Sequence, residues 1–466
     1  LTVSTPLNSI LSIARGSLLA QQLALGVTSH NLANVTTEGF SRQRAELEPG
    51  VPVRVPQGLL GTGVRVADIT RARDALLDGI YRREHSLHQG FLARYDALGR
   101  IEGALAEPSE LSLGAALSAF WNSWSDLASD PVSSSARVAV VAAGQRVVDR
   151  FHRLASDLAS VRDESVGRLE EGLRQVSALA AQIASLNEQI VSVRAGGRSA
   201  PDLEDRRDAL LDELARYVPV TVTAKNDGSV GVVIDGIAVV EGTVHRTLVG
   251  GFGGGGWQIG TSAGSRIDAV SGLLGGLLSI LNDELPRLRD HLDVLARALV
   301  ERVNAIHSTG TNPLGTTGVR FFDDQGSLNA VSADTLALDI GVSTDARFVS
   351  AGTPDGTGSY RAGANDVALA IAALRTDTSG GLLSGIGLDA AYRDLASDVA
   401  FRASSAREAT DAHAALASAA RERRESVSGV ATDEELVRVI QIQAAYGATA
   451  RLLKVVDEMY QSLLAI

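Results

Sequence analysis

The 466 residues include no cysteine, one methionine and few aromatic side chains, which make up 4% of the chain. Without cysteine, disulfides, thiolate metal sites and cysteine nucleophiles are excluded, and the redox compartment cannot be inferred. With so few rings, any core must be built from Ala, Leu, Val and Ile, a composition suited to close helix-on-helix packing. Lysine is also scarce: only Lys225 and Lys454 accompany the arginines. GC-rich coding explains that bias more simply than phosphate recognition does. The formal net charge of −12 argues against a nucleic-acid partner, which would need a basic face. The most continuous apolar run, Leu273 to Leu281, is far below the ~18 residues of a membrane span. No secretory signal is legible, because the first basic residue is Arg15 and no charged region precedes an apolar stretch. The chain reads as soluble, with no membrane insertion.

What is present is periodicity. Leu11, Leu18, Leu25 and Leu32 stand seven apart, with Leu7, Ala14, Gln21 and Thr28 interleaved. At the other end Val439, Tyr446, Leu453 and Tyr460 form one heptad column, and Ile442, Thr449, Val456 and Leu463 form another. Both ends read as coiled-coil seams. The carboxyl segment carries Leu436, Ile440, Leu452, Val455 and Met459 on a second face. A helix apolar on two faces needs cover on two sides, so one partner is insufficient.

Between the ends the pattern changes twice. Val51, Val53 and Val55 alternate as a strand, as do Val64, Val66 and Ile69, with glycines between them, so the two runs read as a hairpin within 47–70. Helical patterns dominate from Asp74 to Tyr217, broken at Pro131 and near Pro201. After Pro219, Val220 and Val222 run into a turn at Asn226, Asp227 and Gly228, and Val230, Val232 and Ile234 return, a tight hairpin. A third strand follows at 237–240, then a glycine-rich loop, Gly250 to Gly256. Helix resumes over 270–306, residues 308–362 read as loops with minor β structure, and helices return from Asp366, interrupted near 380–387 and at Gly429.

The expected fold is therefore mainly α: an elongated, nested, multi-domain chain with coiled-coil helices at both termini, a long-helix bundle and a small β-rich insertion. Residues 1–40 with 430–466 form the terminal core domain. Residues 41–216, 270–307 and 363–429 form the helical domain, 217–269 a small β subdomain, and 308–362 a loop region, leaving any large outer domain reduced or absent.

Apparent catalytic motifs fail on context. Gly251, Gly253 and Gly256 match a dinucleotide fingerprint, but a strand-like Trp257 to Ile259 follows where the motif needs a helix N-terminus. Gly260, Ser262 and Gly264 match a nucleophile elbow, yet the chain lacks the strand–helix alternation that elbow sits on. His85 and His88, three apart, lack a completing carboxylate ligand and read as surface histidines. Asp323 and Asp324 lack the alternating oxygen ligands of a calcium loop, and Asn34 to Thr36 matches a glycosylation sequon without a eukaryotic secretory signal. The residues suggest no enzyme, cofactor or metal.

Residues 26–43, GVTSHNLANVTTEGFSRQ, carry a family pattern. Asn31, Asn34, Thr37, Gly39 and Phe40 stand where bacterial flagellar axial proteins, the rod, hook and hook-associated proteins, have their amino-terminal signature. The run from Gly61 through Val66 to Arg71 and Asp74 is similar to the family's second motif. The segment from Asp433 through Gln443, Tyr446 and Arg451 resembles its closing helix. Ser41, Arg42 and Gln43 after Gly39 and Phe40 are more like the hook-associated protein 1 family, the hook–filament junction proteins. The interior runs 181–190 and 203–214 resemble that family's helical domain.

The resemblance implies a structural role at the hook–filament junction, outside the cell, reached by flagellar type III export without cleavage. It implies that the terminal helices self-assemble into the inner core of a tube, through Leu11, Leu18, Leu25, Leu32, Asn31, Asn34, Gly39, Phe40, Val439, Ile442, Tyr446, Leu453, Val456, Tyr460 and Leu463. Implied partners are further copies of the chain, the hook protein, the next hook-associated protein and filament, and a cytoplasmic export chaperone on the carboxyl helix. A two-helix arm cannot cover two apolar faces in an isolated subunit, so the arms are expected to order on assembly. The open alternatives are another axial protein, of hook or distal rod, and an exported hydrolase using Ser262.

Overall fold

Helix starts follow the capping chemistry of the sequence. In the computed structural model, which describes residues 6–55, 58–268, 271–379, 381–383 and 385–464, Asp74, Ser112 and Ser133 each accept a backbone N–H at the head of a helix. Pro201 fills a first-turn position where no N–H is needed. The helices are α1 (Pro6–Ala33), α2 (Ala75–Leu105), α3 (Leu113–Ser129), α4 (Ser134–Ala195) and α5 (Pro201–Tyr217). After the β segments come α6 (Gly272–Ser279), α7 (Leu285–His307), α8 (Ile340–Thr344), α9 (Asp366–Ala373), α10 (Leu388–Ser428) and α11 (Thr432–Leu464). At 1.5 Å per residue, the 62-residue α4 spans about 93 Å.

Long helices α2, α3, α4, α7 and α10 pack around one continuous apolar core. The few aromatics are concentrated in it. Phe120, Trp121, Trp124, Phe321 and Phe322 are fully buried and meet edge-on or tilted at 5.0–6.2 Å. His307 joins them, accepting from the Ser350 N–H at Nε2 (3.0 Å) and bonding the Val319 carbonyl through Nδ1 (2.8 Å). Burial pushes its pKa down to about 4, so the ring stays neutral and ties the irregular 308–362 segment to the end of α7. A π turn, Ile280–Glu284, joins α6 to α7 and buries Glu284 among Arg94, Arg287 and Arg402 at 3.1–3.5 Å.

Among the described residues, the β strands form four small antiparallel sheets. One pairs β1 (Gln43–Pro49) with β4 (Val64–Arg71), and a separate ribbon pairs β2 (Val53–Val55) with β3 (Gly58–Leu60). This corrects the expected pairing. Val64 and Val66 lie opposite Pro49 and Leu47 rather than opposite Val53 and Val55, which pair with Leu60 and Gly58. Gln43–Pro49 lacks β-branched alternation, so sequence patterning passes over it. Further on, β5 (Thr221–Ala224), β6 (Val230–Ile234), β7 (Ile237–Glu241) and β8 (Val244–His245) form one sheet. Gly228, at φ 86°, closes the β5–β6 turn as its sequence requires. Strands β9 (Leu248–Gly253), β10 (Gly256–Thr261) and β11 (Arg266–Ile267) form another.

At the base of the molecule, α1 and α11 pack side by side as an antiparallel arm. They join the body through the α1–β1 loop and the α10–α11 joint at Gly429.

Candidate assembly interface

Burial along α1, against α11 on one side and β4 on the other, falls mainly on small residues. On α1 the buried side chains are Ala14, Ala20, Val27, Thr28 and Asn31, and on α11 they are Glu435 and Val456. Gln21 reaches Thr449 (3.4 Å) and Gln22 reaches the Tyr446 hydroxyl (3.5 Å), which fixes the antiparallel register. On its other side α1 meets β4. Gly63, at φ 93°, lies against Ile13, where a Cβ would stand 3.2 Å from the isoleucine Cγ2.

Covered on two sides by close-fitting neighbours, α1 turns its leucine column toward the shoulder of the seam. Leu18, Leu25 and Leu32 are half-buried and Leu11 is exposed, so the intra-arm seam runs along the interleaved column and its neighbours instead. On α11, Val439, Ile442, Leu453 and Tyr460 are half-buried, Val456 is buried and Tyr446 is exposed. The Leu463 side chain lies outside the described residues.

Two outer faces remain uncovered. Leu11, Leu19 and Leu23 on α1 are exposed, as are Leu436, Ile440, Leu452, Val455 and Met459 on α11. That is the entire second face expected of the carboxyl helix. Helix α1 is also long and apolar enough to cross a membrane by composition, a property that a search for unbroken apolar runs does not register. Its apolarity serves both the seam and these outer shoulders.

The arm is fixed to the body by a polar joint. Asn31 is fully buried: its Oδ1 accepts the Gln43 N–H (2.9 Å), and its Nδ2 donates to the Gln43 carbonyl (2.9 Å) and to Glu435 Oε2 (3.2 Å). Arg42 grips the same carboxylate at 2.6 Å and Glu434 at 2.7 Å, and its backbone N–H donates to the Ser428 carbonyl (2.8 Å). Burial would lower the Arg42 pKa, but the hydrogen bonds that its guanidinium donates to the two glutamates raise it above its ordinary value.

Asn34 ends α1, donating from Nδ2 to the His30 carbonyl (3.0 Å) and accepting the Thr37 hydroxyl (3.1 Å). Gly39 turns at φ 80°, where other residues are strained, and Phe40 meets His30 edge-on at 5.4 Å. Asn31, Asn34, Gly39 and Phe40 are thus gathered at the joint, whereas the leucine and tyrosine columns run along the arm.

Behind the joint lies a cluster of buried charges absent from the sequence reading. Ser41 N–H donates to Asp205 (2.9 Å), and Arg71 binds Glu204, Asp205 and Asp208 at 2.7–3.0 Å. Arg73 pairs with Asp78 (2.8 Å), Arg82 with Asp212 (2.7 Å), and Arg424 of α10 also bonds Asp212. Burial would raise the Asp208 pKa, but Arg73, Arg71 and Arg82 hold it below the ordinary carboxylate value. A depressed carboxylate contributes stability above its unfolded pKa and loses it as pH falls through the folded one, here below 3.8. Four acids of α5, Glu204, Asp205, Asp208 and Asp212, spaced to face β4, α2 and α10, are the sequence signal. Alone they are indistinguishable from a solvated helix face.

The apparent catalytic motifs sit in other surroundings. Strand β10 follows the Gly251–Gly256 hairpin, so no helix starts directly after it. Ser262 is exposed in the turn between β10 and β11, its N–H donating to the Thr247 carbonyl (3.0 Å), and no helix follows it directly. His85 and His88 are half-buried rather than on the surface: His85 stacks on Tyr81, and burial lowers both pKa values. Among the described residues, no group of three His, Cys, Asp or Glu is placed to hold a metal.

Comparison with known proteins agrees with this geometry. The family model described as "Flagellar hook-associated protein FlgK helical domain" matches residues 98–322, and "Flagellar basal body rod FlgEFG protein C-terminal" matches 423–466. The chain is 29% identical to flagellar hook-associated protein 1 of Bacillus subtilis, over 97% of each chain. It is 28% identical to the protein of that name from Salmonella typhimurium, over 68% of this chain and 59% of the relative. The solved flagellar hook junction protein FlgK from Burkholderia pseudomallei shares the fold, with a TM-score of 0.62 at 14% identity. That match covers 75% of this chain and 100% of the other.

Proposed function

Because the chain belongs to the flagellar hook-associated protein 1 family, a structural family of the bacterial flagellum, we propose that it forms the junction layer between hook and filament, outside the cell. The observation that supports this most is the arm: a helix pair joined along an inner seam, with exposed apolar side chains on both outer faces. Such faces are an aggregation hazard in a free subunit and a ready interface in an array.

In this reading, residues 1–40 and 430–466 form the inner core of the array, with Leu11, Leu18, Leu25, Tyr446 and Leu453 meeting neighbouring arms. The body, 41–216 with 270–307 and 363–429, surrounds that core. The hook protein lies on one side and the next hook-associated protein and filament on the other. Before export, a small helical chaperone covers the Leu452, Val455 and Met459 face of α11 in a helix-in-groove mode. A chain ending at Gly429 should then lose chaperone binding. Undiminished binding would remove the chaperone from the account.

The direct test is immunogold labelling of an epitope-tagged chain on isolated flagella. Gold should mark the boundary between hook and filament. Label distributed along the hook or the rod would favour another axial role.

A further inference from the structure

The ribbon β2–β3 is a second unpartnered surface, distinct from the arm. Among the described residues, its strands hydrogen-bond only to each other. Val51, Val53, Leu59 and Leu60 are all exposed. An isolated two-stranded ribbon is at best marginally stable in water, so an apolar one implies a surface that covers it. Its one charge is Arg54, which lies directly across from Leu59 in the strand register. Cross-strand partners share a face with their Cβ atoms about 5 Å apart, so one face presents a cation beside a leucine.

The arm carries the complement. On α11, Val455 and Glu458 are three residues apart and therefore adjacent on the helix surface, and both are exposed. Among the described residues, neither Arg54 nor Glu458 forms an ion pair. The levels also match. The ribbon leads into Gly63, which packs on Ile13. The antiparallel register that sets Gln21 beside Thr449 brings Ile13 roughly level with Asp457. Arms packed side by side in a ring would thus bring one subunit's ribbon to the height of its neighbour's Val455–Glu458 patch.

We infer that the ribbon docks on α11 of a second copy of this chain, Leu59 against Val455 and Arg54 against Glu458. The inference rests on the proposed ring-like assembly. Its consequence is that each subunit contributes two interlocking contacts, arm to arm and ribbon to arm, so a ring cannot slip vertically.

The cysteine-free chain makes the contact testable. Cells carrying a Leu59→Cys, Val455→Cys chain as their only copy are mildly oxidised, and their flagella are isolated and run on non-reducing gels. The inference predicts a ladder of chain multimers that neither single variant gives. A monomer closed by an internal disulfide, or a cross-link to a different flagellar protein, would overturn it. So would no cross-link from a chain that is present in the flagella. Absence of the unsubstituted chain from isolated flagella would instead overturn the assembly reading itself. Independently, Arg54→Glu should reduce incorporation several-fold and the Arg54→Glu, Glu458→Arg pair should restore it. A pair no better than the single change would contradict the contact.

Discussion

At the scale of single residues, the joint depends on a carboxylate that has no access to water. The Glu435 side chain is fully buried between Arg42 and Asn31. Removing its charge leaves the Arg42 guanidinium short of a partner, a change that in buried pairs costs about 3–5 kcal/mol. Glu435→Leu should therefore loosen α11 at its root while the bundle stays folded, measured as faster hydrogen exchange over 430–445 with an unchanged melting midpoint of the body. Equal protection in variant and parent would show that the joint is held elsewhere. His307 gives a pH signature. The folded protein keeps it neutral down to about pH 4, whereas the unfolded chain protonates it near 6.5. The unfolded state thus binds the extra proton between those values, and stability falls as pH drops across the window, by about 3 kcal/mol from this group. His307→Gln should flatten that part of the stability profile. An identical slope in the variant would assign the effect to other groups. None of this was legible beforehand. A lone histidine in a helical run and a row of acids on α5 look the same in sequence whether buried or solvated, because the groups that enclose them come from other elements: Val319 and Ser350 for His307, and Arg71, Arg82 and Arg424 for the acids.

At the scale of elements, the periodic patterns carried most of the structure. The helix breaks at Pro131 and Pro201, the hairpin turn at Gly228 and the doubly apolar character of α11 all follow from local chemistry, which acts the same way before and after folding. The strand partner of Val64–Arg71 did not follow, because Gln43–Pro49 becomes a strand through its neighbours rather than its propensity. The leucine column illustrates a different limit. Heptad spacing identifies a face that will be buried, but not by which partner. Within the subunit Ala14 and Thr28, in the column of Gln21, are buried, and Leu18 and Leu25 stay half-covered beside them. Leu18→Asp should therefore leave the subunit's fold and melting almost unchanged while abolishing its incorporation into flagella, since a charge would be buried unpaired only in the array. Normal motility in that strain would contradict the role given to the shoulder.

At the scale of the whole molecule, the polarity of the design is what carries function. The body is closed, with its aromatics buried and Glu284 and His307 paired internally, and the arm is open, with an apolar surface on both outer sides. A stable body and an unsatisfied arm are what a subunit needs if it is to travel singly and bond only to its own kind or its axial neighbours. The central claim is that this array is the platform on which the filament grows. Electron microscopy of a strain lacking the chain tests it most directly. The account predicts complete hooks that end bare, with filament protein shed into the medium and filaments restored by the intact gene. Filaments of normal length seated on those hooks would contradict it.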